Sequence, residues 1–398
     1  MTPKTIMVVA GDPSGDANAA DLVRALAGAV PDAQFIGAGG PGMAEAGVQL
    51  SFNLTDDAAI GPVDAIKNLG SFWRRRRHLA TLAKERRPEL IILVDAYTFN
   101  QPLARVIKNF VRASGSNWQP KIVRYTSPQV WASRPGRAEK MAGDIDLLLC
   151  LYPFEKDWYA RRGTPMRVEF VGHPIFDRHA APTDANRPAE EQPTIVLLPG
   201  SRTDELKRHL PVMLAAAREI NAIRPVRFKL VALNEKMADY MRSFQAAGPP
   251  EMEIQTGHLA DALSAATLAI TKTGTISLEC AYFGVPTLAM YKASIPFYLL
   301  ARSFVTVKYL AMPNLLADEP LFPEFIQGRA TAQNLAKAAL ELLADAPRRS
   351  AIRAKLRRVI ESLGGPGSTR RAAAIILQLM GTPWNAASGT PSQTLNPA

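Results

Sequence analysis

Asp95 ends an apolar run, Leu90–Val94, in the string LIILVDAYTFN, and Asn100 follows five residues later. In open parallel sheets ligands bind just beyond the carboxyl ends of the strands. A carboxylate at such an edge, partly withdrawn from water, has a raised pKa and can accept a proton as a general base. The same position also suits an aspartate that only caps the next segment. A second kind of chemistry recurs where apolar strands run into small residues. Ala10–Asp16 (AGDPSGD) follows IMVV, and Pro199–Arg202 (PGSR) follows TIVLL. A strand that opens a helix through such a loop presents free N–H groups and a positive helix end, which accept phosphate or sugar hydroxyls.

The second of these loops is the better phosphate site. Gly200 allows close backbone approach, Ser201 is a donor and Arg202 brings a fixed charge on a planar fork. Further along, TKTGTISLE offers Thr273, Gly274 and Thr275 at a helix start, with Glu279 one turn on from Thr275. Glu279 is placed to accept hydrogen bonds from ribose hydroxyls; a capping threonine and an exposed glutamate would give the same spacing. The first loop carries Gly11, Ser14, Gly15 and Asp16. It has neither a Walker lysine nor GxGxxG spacing. Its two acids would repel a pyrophosphate, so it suits sugar hydroxyls. In YTSPQVWASRPGR, Gln129 and Trp131 are candidates for sugar contact and Arg134 and Arg137 for phosphate, although Trp131 can equally anchor the loop.

These residues need a frame. Short apolar runs alternate with helical patterns throughout, the mark of βαβ units and parallel sheets. Strands are expected at Ile6–Ala10, Gln34–Gly37, Leu90–Val94, Ile122–Tyr125, Leu147–Leu151 and Arg167–Phe170. In the second half they fall at Thr194–Leu198, Phe228–Ala232, Leu268–Thr271 and Thr287–Met290. The chain of 398 residues fits two domains. The reading is α/β: a Rossmann-like domain over 1–180, a proline-bearing linker over 181–193 and a second Rossmann-like domain over 194–345. Helices over 346–380 close the fold and can cross back to the first domain, and 381–398 form a disordered tail.

A net charge of +11 points to an anionic partner: nucleotide, phospholipid surface or nucleic acid. Nucleic acid is the weakest of these, because no stacking-aromatic or recognition-helix motif accompanies the arginines. Cys150 and Cys280 lie in apolar surroundings and read as packing residues. Five scattered histidines without HxxxH or CxxC spacing leave no zinc pattern, and no metal or other cofactor is expected. The apolar start, Ile6 to Ala10, is too short for an export signal, so a cytoplasmic protein is expected. One stretch differs in character. Val63, Ile66, Leu69, Phe72 and Trp73 recur at roughly helical spacing, and Arg74, Arg75 and two more arginines follow. An apolar face beside a basic cluster suits a membrane surface, though such faces more usually line a core. Ile295–Leu316 is a second apolar–basic stretch.

Nine strings in sequence order then resemble the lipid-A-disaccharide synthase family, glycosyltransferases of GT-B architecture. AGDPSGD is similar to the family's AGExSGD, GAGGPGM to GxGGPxM, VDAYTFN to VDxPDFN, YTSPQVWASR to YxSPQVWAWR and YPFEKDWY to LPFExxFY. FVGHP, LLPGSRTDE, TGTISLE and MPNLL complete the series. The resemblance implies two Rossmann-like domains facing across a cleft. It also implies an inverting transfer of diacylglucosamine from UDP-diacylglucosamine to diacylglucosamine 1-phosphate. Asp95 would be the base; Ser14 and Gln129 would hold sugars; Arg202, Thr275 and Glu279 would hold UDP; Asn314, in MPNLL, would lie in the cleft. No metal is implied, and acylated substrates give the apolar–basic segment a reason to meet the inner membrane leaflet peripherally. A homo-oligomer is left open. The departures are Tyr97 and Thr98 for the family's Pro and Asp, Asp12 and Pro13 in the first loop, Ser133 for a tryptophan, and Thr273 for a serine. They keep two rivals in view: an epimerase of UDP-N-acetylglucosamine on the same fold, and a sugar-nucleotide binder without turnover. The epimerase would need further acid–base groups and has no use for a membrane face.

Overall fold

The computed structural model describes residues 4–55, 69–182 and 193–382. By contact the chain separates into two compact units. The first comprises residues 1–130, 134–177 and 364–398; the second comprises 131–133 and 178–363.

In the first unit seven strands pair in the order β3-β2-β1-β4-β5-β6-β7. They are β1 (Thr5–Ala10), β2 (Gln34–Gly39), β3 (Gln49–Asn53), β4 (Leu90–Val94), β5 (Lys121–Tyr125), β6 (Leu147–Cys150) and β7 (Arg167–Phe170). Every pairing is parallel. A parallel sheet is covered on both faces, so its inner strands are apolar at every position. Successive residues still alternate between faces. Met7, Val9, Ile91 and Leu93 enter one core with helices Leu69–Arg86 and Tyr97–Ser114. Ile6, Val8, Ile92 and Val94 enter the other with helix Pro13–Ala29. Helix Ser368–Leu379 lies on that second face, contributing Ala372, Ala373, Ile376 and Leu377. Asp177 tethers its start, accepting from Gly367 N (2.6 Å), Ser368 Oγ (2.9 Å) and Thr369 N (3.1 Å).

The second unit repeats the plan with six strands ordered β10-β9-β8-β11-β12-β13. These are β8 (Thr194–Leu198), β9 (Arg227–Ala232), β10 (Glu253–Thr256), β11 (Leu268–Lys272), β12 (Thr287–Tyr291) and β13 (Glu324–Ile326). All are parallel. Helix Ala346–Glu361 stays with this unit and packs on helix Thr275–Tyr282. Three strands that the sequence did not announce are β3, β10 and β13, each at a sheet edge. An edge strand buries less of itself, and QLSFN, EIQT and EFI lack the continuous apolar run of a central strand.

In both sheets the strand order reverses once, between β1 and β4 and between β8 and β11. The loops leaving neighbouring strands diverge there, and a ligand-sized crevice opens beyond their carboxyl ends.

Candidate functional site

The reversal in the first sheet sets the Gly11–Asp16 loop beside Asp95. A Cβ on Gly11 would lie 2.5 Å from that of Ala96, and one on Gly15 would lie 3.2 Å from that of Asp95. Glycine at both places lets the two loops touch. Asp12 caps helix Pro13–Ala29 by accepting from Gly15 N at 2.8 Å, and Pro13 suits the first helical turn. Ser14 is exposed there.

Asp95 adopts the left-handed region at φ 48°, as does Ala96 at 37°. Such a conformation is costly for a residue bearing a Cβ and has to be held by its surroundings. Arg124 Nη2 donates to the main-chain oxygen of Asp95 at 2.8 Å and Asn100 Nδ2 at 3.2 Å. Asn100 also reaches the Val94 oxygen at 2.9 Å. It is wholly buried, so its amide holds the strand end rather than meeting a substrate directly. Asp95 as a residue is only partly exposed, and its carboxylate accepts from Thr126 Oγ1 at 2.6 Å. Burial and then the nearby negative charge of Asp12 push its pKa up, while hydrogen bonds from Thr126 and Asn18 and the charge of Arg124 pull against them. Burial wins, which is what a proton acceptor requires. Arg124 is itself fully buried, with its pKa brought down to about 10 by desolvation. Its guanidinium lies 5.1 Å from the centre of the Tyr97 ring, and that of Arg137 lies 5.2 Å from the same centre.

Other residues read as substrate contacts have different employment. Asp16 is buried, and its two carboxylate oxygens accept from Gly40 N (2.7 Å), Gly42 N (2.9 Å) and Met43 N (3.2 Å). It therefore fixes the turn of GAGGPGM. Gln129 is exposed ahead of the short helix Val130–Ser133. Trp131 is buried and groups with the second unit, where Thr306 Oγ1 donates to its main-chain oxygen at 3.0 Å. That favours its anchoring role. His173 is buried and its Nδ1 accepts from Ile175 N.

In the second unit the reversal brings Gly200, Ser201, Arg202 and Gly274 together around a residue the sequence reading passed over, Glu205. Its carboxylate accepts from Ser201 N at 3.2 Å and from Lys272 Nζ at 3.0 Å, with Arg202 Nη1 at 3.9 Å. Gly200 has φ +126°, and a Cβ there would strike Glu205 Oε2 at 2.4 Å. Gly274 has φ +144°, with Lys272 Nζ 3.2 Å from where its Cβ would be. The carboxylate at the start of helix Thr203–Ile223 thus occupies the place where an anion is favoured by the helix end. Its spacing, three residues past Arg202 in a first turn, was the signal available. Arg202 and Thr275 are exposed and Thr273 is buried, its N–H bonded to Met290 O at 2.9 Å. His209 supports the loop from beneath. Its Nε2 accepts from Lys292 N at 3.0 Å, so the proton sits on Nδ1 and is donated to Pro199 O at 2.9 Å. Burial holds its pKa below the ordinary histidine value.

Two residues stand apart. Glu279 Oε2 meets His179 Nε2 at 3.1 Å, and Tyr282 donates to the His179 main-chain oxygen at 3.0 Å. Asn314 was expected in a cleft but is completely buried. Its amide donates to Phe322 O (2.7 Å) and Glu324 Oε1 (3.0 Å) and accepts from Phe322 N (2.7 Å). It closes a loop of the scaffold, and a side chain with all its bonds made inside the protein does not meet solvent or ligand.

Of the membrane-facing set, Val63 and Ile66 lie outside the described residues, as does the side chain of Leu69. Trp73 is 57% exposed, with Arg77 over its ring, and Arg74 is exposed. Phe72 instead turns inward against Phe99 at 6.0 Å, since neighbours on a helix point about 100° apart. Arg75 lies over Phe52. Among the described residues no helix is long and apolar enough to cross a membrane, and no cluster of side chains could hold a metal ion.

The sequence profile described as lipid-A-disaccharide synthetase matches residues 6–379. The lipid-A-disaccharide synthase of Syntrophus aciditrophicus (strain SB) is 36% identical over 388 residues, covering 96% of this chain and 99% of that protein. Among solved structures, a Listeria monocytogenes protein assigned as a UDP-N-acetylglucosamine 2-epimerase superposes with a TM-score of 0.64 at 15% identity. It covers 97% of this chain and 99% of its own. Acinetobacter baumannii MurG gives 0.56 at 14%, covering 94% and 100%. At such identities the structural likeness speaks for the fold, GT-B, and for nothing finer.

Proposed function

Because the chain belongs to the lipid-A-disaccharide synthase family, we propose that it transfers 2,3-diacylglucosamine from its UDP carrier to the 6-hydroxyl of 2,3-diacylglucosamine 1-phosphate. The product is a lipid A disaccharide 1-phosphate, with release of UDP. The acceptor oxygen attacks the anomeric carbon from the side opposite the nucleotide, which inverts that centre. One C–O bond forms as the C–O bond to UDP breaks; UDP leaves with the electron pair, and the acceptor proton passes to Asp95.

The observation that carries this reading is the setting of Asp95. A largely buried carboxylate sits at a strand reversal, held by Thr126, with its proton affinity raised by burial and by Asp12. Arg124 and Asn100 grip its main chain rather than its carboxylate, so the carboxylate, bonded by Thr126 and Asn18, is the group left to take up the acceptor proton. In the second unit the Gly274–Thr275 turn opens a helix, and Lys272 and Arg202, both beside Glu205, supply charge for a departing diphosphate. Lys272 is already partnered by Glu205, which would keep it oriented before the nucleotide arrives. The residue set contains its own cations for the leaving group, and the reaction as written uses no cofactor.

The acylated substrates imply a site at the inner membrane surface. Trp73, Arg74 and Arg77 are described residues of the first apolar–basic segment that stand outward, and they would meet it. The test combines purified protein, UDP-diacylglucosamine and diacylglucosamine 1-phosphate in mild detergent and follows products by mass spectrometry. A tetra-acyl disaccharide phosphate is expected. Its absence in protein that binds UDP would remove the transferase reading, and release of N-acetylmannosamine from UDP-N-acetylglucosamine would replace it with the epimerase.

A further inference from the structure

Helix Ile295–Arg302 (IPFYLLAR) has no buried residue, although most of its eight side chains are apolar or aromatic. Ile295 is 72% exposed, Leu299 59% and Leu300 58%, and exposed Phe297, Phe304 and Val305 extend the surface past the helix end. A helix that is apolar around its circumference normally belongs inside a core, and an uninterrupted exposed surface of this kind marks an interaction site. The chemistry surrounding the patch indicates what covers it. From Cys280 to Ala317 the chain contains no acidic residue, while Lys292, Arg302 and Lys308 are basic. Lys308 reaches one acid beyond that stretch, Asp318 at 3.5 Å, and both side chains of that pair are largely exposed. So loose a surface pair leaves the lysine free to exchange its partner for a phosphate. Large aliphatic and aromatic side chains beside cations match a bilayer interface: hydrocarbon for the former, anionic headgroups for the latter. A matching surface on a second copy would have to supply acids that this segment lacks.

We propose that Ile295–Val305 is a membrane-docking element of the second unit, lying in the surface of an anionic bilayer with Arg302 and Lys308 at lipid phosphates. It extends the membrane contact read above from Trp73 and Arg74, and it stands or falls separately from it. With eight residues the helix lies along the surface and does not span it.

The full-length chain is floated with vesicles of phosphatidylethanolamine and phosphatidylglycerol, and with phosphatidylcholine alone, at low and high salt. A Phe297→Ser/Leu299→Ser/Leu300→Ser variant is expected to lose roughly tenfold in the vesicle-bound fraction, with UDP binding and Tm unchanged. Arg302→Glu/Lys308→Glu is expected to bind phosphatidylglycerol vesicles about as poorly as the wild type does at high salt. As a check that does not depend on removing apolar groups, a Phe297→Trp variant should gain blue-shifted emission on adding phosphatidylglycerol vesicles, relative to the parent. The triple-serine variant floating like the wild type would overturn the proposal, and if Trp73→Ser alone abolished flotation, the first contact would stand without the second. A wild-type dimer made monomeric by the triple substitution, with flotation intact, would assign the patch to a second copy instead.

Discussion

Replacing Asp95 with asparagine separates catalysis from architecture in one substitution. The amide keeps the shape of the side chain and still accepts the 2.6 Å hydrogen bond from Thr126, while the main-chain bonds from Arg124 and Asn100 are untouched. The left-handed strand end therefore survives, and UDP binding in the other unit is unaffected. What disappears is the proton acceptor. A positioned general base contributes about 10²–10⁴-fold, or roughly 2.7–5.5 kcal/mol of barrier. The loss should fall on kcat, with KM near its original value. Stability should move the other way. Burial and Asp12 raise the pKa of Asp95 in the folded chain, so the stability linked to its proton is present below the unfolded pKa and lost as pH rises through the folded pKa. The substituted amide cannot ionise, so the Tm of Asp95→Asn minus that of the wild type should grow with pH across that interval. Wild-type kcat/KM should rise across the same interval as the base ionises. Initial rates from radiolabelled donor, with thermal unfolding at matched pH, measure both. An Asp95→Asn enzyme within a few-fold of wild-type kcat, or a Tm gap that narrows as pH rises, would refute the reasoning.

Two further substitutions test the second unit. Lys272→Met removes the cation between Glu205 and the Gly274 turn and leaves Glu205 with less compensation beside a diphosphate. Losing a charge-assisted contact of about 1.5–3 kcal/mol should weaken UDP binding by roughly tenfold or more in calorimetry; an unchanged Kd would remove the phosphate role from these loops. Asn314→Ala strips three internal hydrogen bonds from a fully buried site, costing about 2–4 kcal/mol. Thermal unfolding should shift down by several degrees while UDP affinity in the folded protein stays constant, and loss of UDP affinity without a shift would return Asn314 to the binding site.

How much of this was readable beforehand depends on where each residue's partner lies in the chain. Central strands announce themselves because both faces are buried, so LIILV and TIVLL read as strands without their neighbours. The loops that follow them read as sites because strand order alone opens a crevice there. The counter-charges did not. Glu205 is joined to Lys272 across 67 residues, and Arg124 reaches Asp95 across 29. No local pattern encodes such pairs; they exist only once strands are adjacent. The partners of polar residues inside a recognised string are hidden for the same reason. Asp16 and Asn314 look available in one dimension, yet both are consumed by backbone groups at 40–43 and 322, which only the fold brings within reach.

The Tyr97 substitution follows from that logic. Its ring is approached by two guanidinium groups, Arg124 at 5.1 Å and Arg137 at 5.2 Å. Arg124 is buried, with Nε and Nη1 lacking hydrogen-bond partners. A buried cation so poorly bonded needs other compensation, and an aromatic face supplies it without introducing a second acid beside Asp95. A proline at 97 could not stack in this way. Thr98, in place of an acid, is exposed on the same first turn, while the groups that favour the buried Arg124 charge are Asp95, Tyr159 and Tyr97. Tyr97, Arg124 and Asp95 thus form one electrostatic unit around the base. Its consequence is a base tuned jointly by Asp12, which raises its proton affinity, and by Arg124, which lowers it.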